Sequence, residues 1–218
     1  DTWIAAGLGT DAVRIVDPRD MASPLPTAAE CAGVVISGAH AMITDDAPWM
    51  LRLAEWTRKM VTAQVPYLGI CFGHQLLAKA AGGTVDFHPQ GREIGSVAIE
   101  MLAAAKADPL FAALPKQFMA HAVHAQSVRK LPKGATLLAS NAYEPTHAFR
   151  VGACAWGVQF HPEFTQERLA AYLEHLSPDL LAAGRDIAAI RAGLVETPES
   201  ASLLPRFVRL ALAESFDD

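Results

Sequence analysis

Three residues in two short segments have the types and spacing for nucleophilic catalysis. Cys71 stands in GICFGHQ, residues 69–75, and His161 and Glu163 stand far downstream in GVQFHPE, residues 157–163. A thiol attacks as its thiolate, so it needs a base. His161 can take the proton once a third group fixes its tautomer, and Glu163, two residues on across the rigid Pro162, can reach the ring. Gly69 and Gly73 suit a sharp strand-to-helix turn at Cys71, where residues on either side of the nucleophile come close together. A helix starting after Cys71 aims its N-terminus at the sulfur, and the N–H of Phe72 can face a developing oxyanion. Cys31 and Cys154 have no such frame and read as core residues.

The elements around these residues must bring them together. Residues 12–16, 33–37, 66–70 and 153–160 are short apolar runs, which predict strands of a largely parallel sheet covered on both faces. Cys71 and His161 then emerge at carboxyl ends of strands, where ligands of such sheets bind. Residues 72–81 read as the helix after the nucleophile. Asp45 and Asp46 read as caps of a helix with Pro48 in its first turn, and Trp49, Leu53, Trp56 and Met60 form its packing stripe. Residues 82–140 carry shorter runs, such as 96–101 and 135–139, that suit antiparallel strands. Leu169, Tyr172, Leu173 and Leu176 open a helical tail from Thr165, with fresh helix starts at Ser177-Pro178 and Thr197-Pro198.

Composition narrows the function classes. The 218 residues are 51% hydrophobic with a net charge of −5, enough for one sizeable core, and carry no Lys or Arg run that would grip nucleic acid. No apolar stretch reaches the roughly 18 to 20 residues of a membrane helix. An odd set of three cysteines in apolar settings argues for a reducing compartment, the cytoplasm. No metal-ligand spacing occurs among the histidines; His40, His74, His88, His121, His147 and His175 read as structural or exposed, with His74 turned away from the thiol. The sequence opens at Asp1 on the helix-like TWIAAGLG, which predicts a strand or targeting segment upstream.

GICFGHQ and GVQFHPE, in this order and at this spacing, resemble the nucleophile and His-Glu motifs of the class I glutamine amidotransferases, the triad glutaminases, and among them the glutaminase domain of GMP synthase. The resemblance covers residues 12–164. It implies a three-layer, flavodoxin-like α/β fold, mostly parallel, with a small antiparallel sheet and a helical C-terminal tail. One amidotransferase domain then spans 1–164, and 165–218 form a helical extension packed on it. It also implies a Cys71-His161-Glu163 triad acting without cofactor on glutamine or another γ-glutamyl compound. VVISGAH, residues 34–40, aligns with the family's oxyanion loop, so the N–H of Ala39 would join that of Phe72. Ala39 and His40 depart from the S-G-G-P of GMP synthases. By the same resemblance Gln75 contacts the amino-acid end of glutamine, and His124 and Gln126 of HAVHAQSV form the substrate-side segment, with Gln126 where GMP synthases carry an acidic residue.

Three roles fit these residues. The first is a glutaminase that passes ammonia to a separate synthetase subunit, since no GxxxxGK[ST] phosphate loop occurs in the sequence. The second is a γ-glutamyl hydrolase or peptidase, in which water alone accepts the acyl group. The third is a regulatory homologue without turnover, against which the retention of Cys71, His161 and Glu163 argues.

Overall fold

The computed structural model describes residues 2–214. A seven-stranded sheet forms its centre, in the order β1 (Val34–Ile36), β2 (Tyr67–Ile70), β9 (Ala155–Val158), β8 (Ala148–Val151), β7 (Thr136–Ser140), β4 (Glu93–Met101) and β5 (Gln117–His124). Pairing is parallel across β1, β2 and β9 and antiparallel from β9 to β5. The sheet is therefore mixed, its parallel part confined to the strands that lead to the candidate triad. A two-stranded antiparallel sheet, β3 (Thr84–Phe87) with β6 (Gln126–Lys130), lies apart from it.

Alternation along the buried strands sends side chains to two different layers. From β2 and β9, Leu68, Ile70, Trp156 and Val158 join a core that also holds Ile4 and Leu8 of α1 (Thr2–Leu8) and Leu204 and Phe207 of α7 (Leu203–Glu214). Tyr67 and Ala155 point the other way, onto Leu77 and Ala78 of α3 (Phe72–Ala80). Outside α3 lies α2 (Pro48–Thr62), where Leu53 and Met60 are buried, Trp49 stacks on Phe72, and the Trp56 indole donates to Pro26 O. The expected stripe is thus core packing.

Several local expectations are corrected. Residues 12–16 form no strand; they run exposed, with Ile15 57% accessible, because no neighbouring strand pairs with them. Asp45 and Asp46 do not cap α2, whose N-cap is Ala47. A 3₁₀ turn over Ile43–Asp45 uses them instead: Asp45 accepts from Met42 N–H, and Asp46, in the left-handed region, pairs with Lys79. Ser177-Pro178 starts no helix, since α4 runs unbroken over Gln166–Ala182 with Pro178 inside, and the Ser177 hydroxyl bonds back to Leu173 O. Thr197 does stand at the N-cap of α6 (Pro198–Ala201), which follows α5 (Ile187–Ala192). Residues 215–218 of the expected helical tail lie outside the described residues. Cys31 is only half-buried, while Cys154 is buried and donates to Gln64 O. No helix among the described residues is long and apolar enough to cross a membrane.

Candidate active site

Cys71 occupies the one-residue joint between β2 and α3, with φ 50° and ψ −98°. A non-glycine residue held at positive φ is strained, and the surroundings must enforce it. Its own N–H is bonded to Val158 O at 2.8 Å, and Tyr67 to Ile70 lock β2 between β1 and β9. The flanking glycines are needed for close approach. A Cβ on Gly69 would run into the backbone of Gly73, and one on Gly73 into Ile36 O. As the first residue of α3, Phe72 has an N–H with no acceptor inside the helix.

The extension of β9 delivers His161. The His161 N–H bonds to His121 O at 2.8 Å, which ties this segment to β5. Nδ1 of His161 lies 2.7 Å from Glu163 Oε1, leaving Nε2 for the thiol. Burial works against the charged ring, but the charge of Glu163 and then that of Cys71, with hydrogen bonds to both, hold its pKa well above the ordinary value. The three side chains are each more than 90% buried. Phe164 stacks on the His161 ring at 4.3 Å and 17°, and Arg168 donates to Glu163 O at 2.7 Å. Such a pair can store charge as thiolate and imidazolium, attack a carbonyl carbon and return the proton to a leaving nitrogen.

The loop after β1 closes the site from above. A Cβ on Gly38 would lie 2.8 Å from His161 Cε1 and 3.6 Å from the Cβ of Cys71, so this glycine's backbone abuts the pair directly. Ala39 and His40 follow it, both exposed. On the opposite side, the Cys71 sulfur lies 3.6 Å from Val123 O.

Gln75, His124 and Gln126 come together behind the thiol, buried and bound to protein partners. Gln75 Nε2 donates to Gln126 O and Gln159 Oε1. His124 spans Gln126 O and Glu93 Oε2 at 2.9 and 2.8 Å. The Gln126 side chain accepts from Ile43 N–H and donates to Thr44. Glu93 also receives Asn141 and has His147 Nε2 at 3.2 Å; burial opposes its charge, yet the two histidines hold its carboxyl well below the usual range. Sequence reasoning missed Gly38, Glu93, His147, Phe164 and Arg168. Glu93 opens a strand with no motif of its own, and only its pairing with His124 across β4 and β5 places it. His74 is fully buried against Phe149, and burial pushes its pKa down to about 3. His121, fully buried, is likewise pushed down to about 4, by burial and then by the charge of His161.

The sequence model of the glutamine amidotransferase class-I family matches residues 6–176, most of the chain. The chain belongs to that family. Among curated relatives, a GMP synthase [glutamine-hydrolyzing] of Thermosipho africanus is 35% identical over 136 residues, 62% of this chain and 24% of that protein. Gamma-glutamyl peptidase 5 of Arabidopsis thaliana is 32% identical over 146 residues, 66% of this chain and 58% of that protein. The chain thus spans about a quarter of the first and somewhat over half of the second. A crystal structure of a glutamine amidotransferase from Methylobacillus flagellatus superposes with a TM-score of 0.72 at 26% identity, covering 90% of this chain and 82% of that one. One from Thermotoga maritima gives 0.69 at 22% identity over 82% and 77%, a likeness of fold.

Proposed function

We propose that the chain hydrolyses the side-chain amide of glutamine to glutamate and ammonia through a thioester on Cys71. The observation that carries this reading is the His161 ring held between Glu163 Oε1, at 2.7 Å, and the thiol at the strained β2–α3 joint. His161 takes the thiol proton, the sulfur attacks the amide carbon, and the carbonyl oxygen turns toward the N–H groups of Phe72 and Ala39. Collapse breaks the C–N bond, and the imidazolium gives its proton to the departing ammonia. Water, deprotonated by His161, then attacks the thioester and releases glutamate. Gln75, His124 and Gln126 shape the wall behind the sulfur, their bonds within the protein fixing the segment that carries Val123 O. The ammonia goes to a separate synthetase subunit, by likeness to the GMP synthase relative.

A second reading keeps the chemistry and changes the leaving group. The γ-glutamyl peptidase relative is matched over 58% of its length, a larger share than for the synthase, and favours a γ-glutamyl peptide as substrate. The two readings separate in one experiment: ammonia release from glutamine and amine release from γ-glutamyl dipeptides, each with wild type and Cys71→Ala. Faster turnover of glutamine, absent in the variant, supports the first; faster turnover of the dipeptide supports the second. If neither substrate reacts and a diazoketone analogue of glutamine leaves Cys71 unlabelled, both are wrong.

A further inference from the structure

We propose that Tyr172 is a positioning residue that clasps His40 and thereby holds the oxyanion loop in register with Cys71; the proposal rests on the glutaminase reading above. Among the described residues, no main-chain hydrogen bond anchors residues 38–41, which lie between the end of β1 and the 3₁₀ turn at Ile43. An oxyanion donor lowers the barrier only when its peptide is already oriented, and an exposed loop residue otherwise has backbone freedom to lose.

His40 makes the side-chain hydrogen bond that this segment has. The Tyr172 hydroxyl lies 3.2 Å from Nε2 and 3.4 Å from Nδ1 of its ring, and His175 packs edge-on one turn further along α4 at 5.8 Å. Tyr172 also touches Phe164, with ring centroids 5.7 Å apart, and Phe164 stacks on His161. A continuous row of rings, His40, Tyr172, Phe164 and His161, therefore runs from the loop to the base. The row is anchored because α4 sinks Leu169, Leu173, Leu176 and Leu180 into a cluster with Ile94 and Leu194. Tyr172 lies close enough to the sulfur that, after burial, the charge of Cys71 further raises its pKa.

The test removes the hydroxyl and keeps the ring. Tyr172→Phe is expected to lower kcat for glutamine about tenfold, the worth of roughly one hydrogen bond, with KM changed less than about twofold. His40→Ala should give a similar loss, and the double variant no more than either, because both cut the same contact. His40→Gln, which offers an amide to the hydroxyl, should recover part of the rate. Two probes of Cys71 separate positioning from general damage. The γ-aldehyde analogue of glutamate adds reversibly to the thiol, its oxygen becoming an oxyanion equivalent, and its affinity should fall with kcat. Iodoacetamide alkylates the sulfur with loss of iodide and uses no oxyanion donor, so its rate should stay at the wild-type value. Wild-type kcat and aldehyde affinity in Tyr172→Phe, or equal losses with both probes, would overturn the clasp. Wild-type protein that neither turns over nor takes up the aldehyde would instead sink the glutaminase reading and the clasp with it.

Discussion

Glu163 raises the pKa of His161, and that is the property of the pair most open to measurement. Its carboxylate is the largest of the influences that raise the His161 pKa against burial. Because the folded value lies above the unfolded value of about 6.5, the pair's contribution to stability is full below that pH and is lost as pH rises through the folded pKa. Glu163→Gln should therefore move the His161 ring titration, followed by NMR at Cε1, to lower pH, and shrink the stability difference between neutral and alkaline solution; an unmoved titration would contradict the pairing. Cys71, His161 and Glu163 were legible in the sequence because each sits in a local motif with a mechanical reason for its neighbours. Gly38 was not, although a side chain there would collide with His161. Its constraint comes from a strand end far away in sequence.

At the scale of elements, α4 matters as the wall that carries Tyr172. Leu173, the residue beside it, is fully buried in the cluster that seats the helix. Leu173→Ala should lower unfolding free energy in urea by about 2–5 kcal/mol, the usual cost of emptying a buried leucine site, and a loss under about 1 kcal/mol would mean that α4 is not seated as described. The amphipathic stripe of α4 could be read from spacing, but its length could not: Ser177-Pro178 looks like a start signal, and the helix continues through it because the stripe keeps burying Leu176 and Leu180 on either side. Residues 12–16 show the opposite failure. Their apolar run has strand composition, and tertiary pairing, which composition does not report, is missing.

For the whole molecule, the class of fold was legible because β2 and β9 are apolar on both faces, which only a sheet covered by helices can satisfy. The extent of the antiparallel half was less so, since β4 to β8 alternate weakly and contribute to both the main sheet and its neighbour. Three parallel strands meet at their carboxyl ends, and the strained joint, His161 and the loop of Gly38 converge there. The central claim, that this convergence performs acyl transfer from glutamine, is tested most directly by mass spectrometry of protein quenched in acid during turnover with glutamine. The prediction is one glutamyl group bound at Cys71 as a hydroxylamine-labile thioester, accumulating in Glu163→Gln as hydrolysis slows, and absent in Cys71→Ala. Turnover of glutamine with Cys71 unmodified in every sample, or a glutamyl adduct that persists in Cys71→Ala, would contradict it.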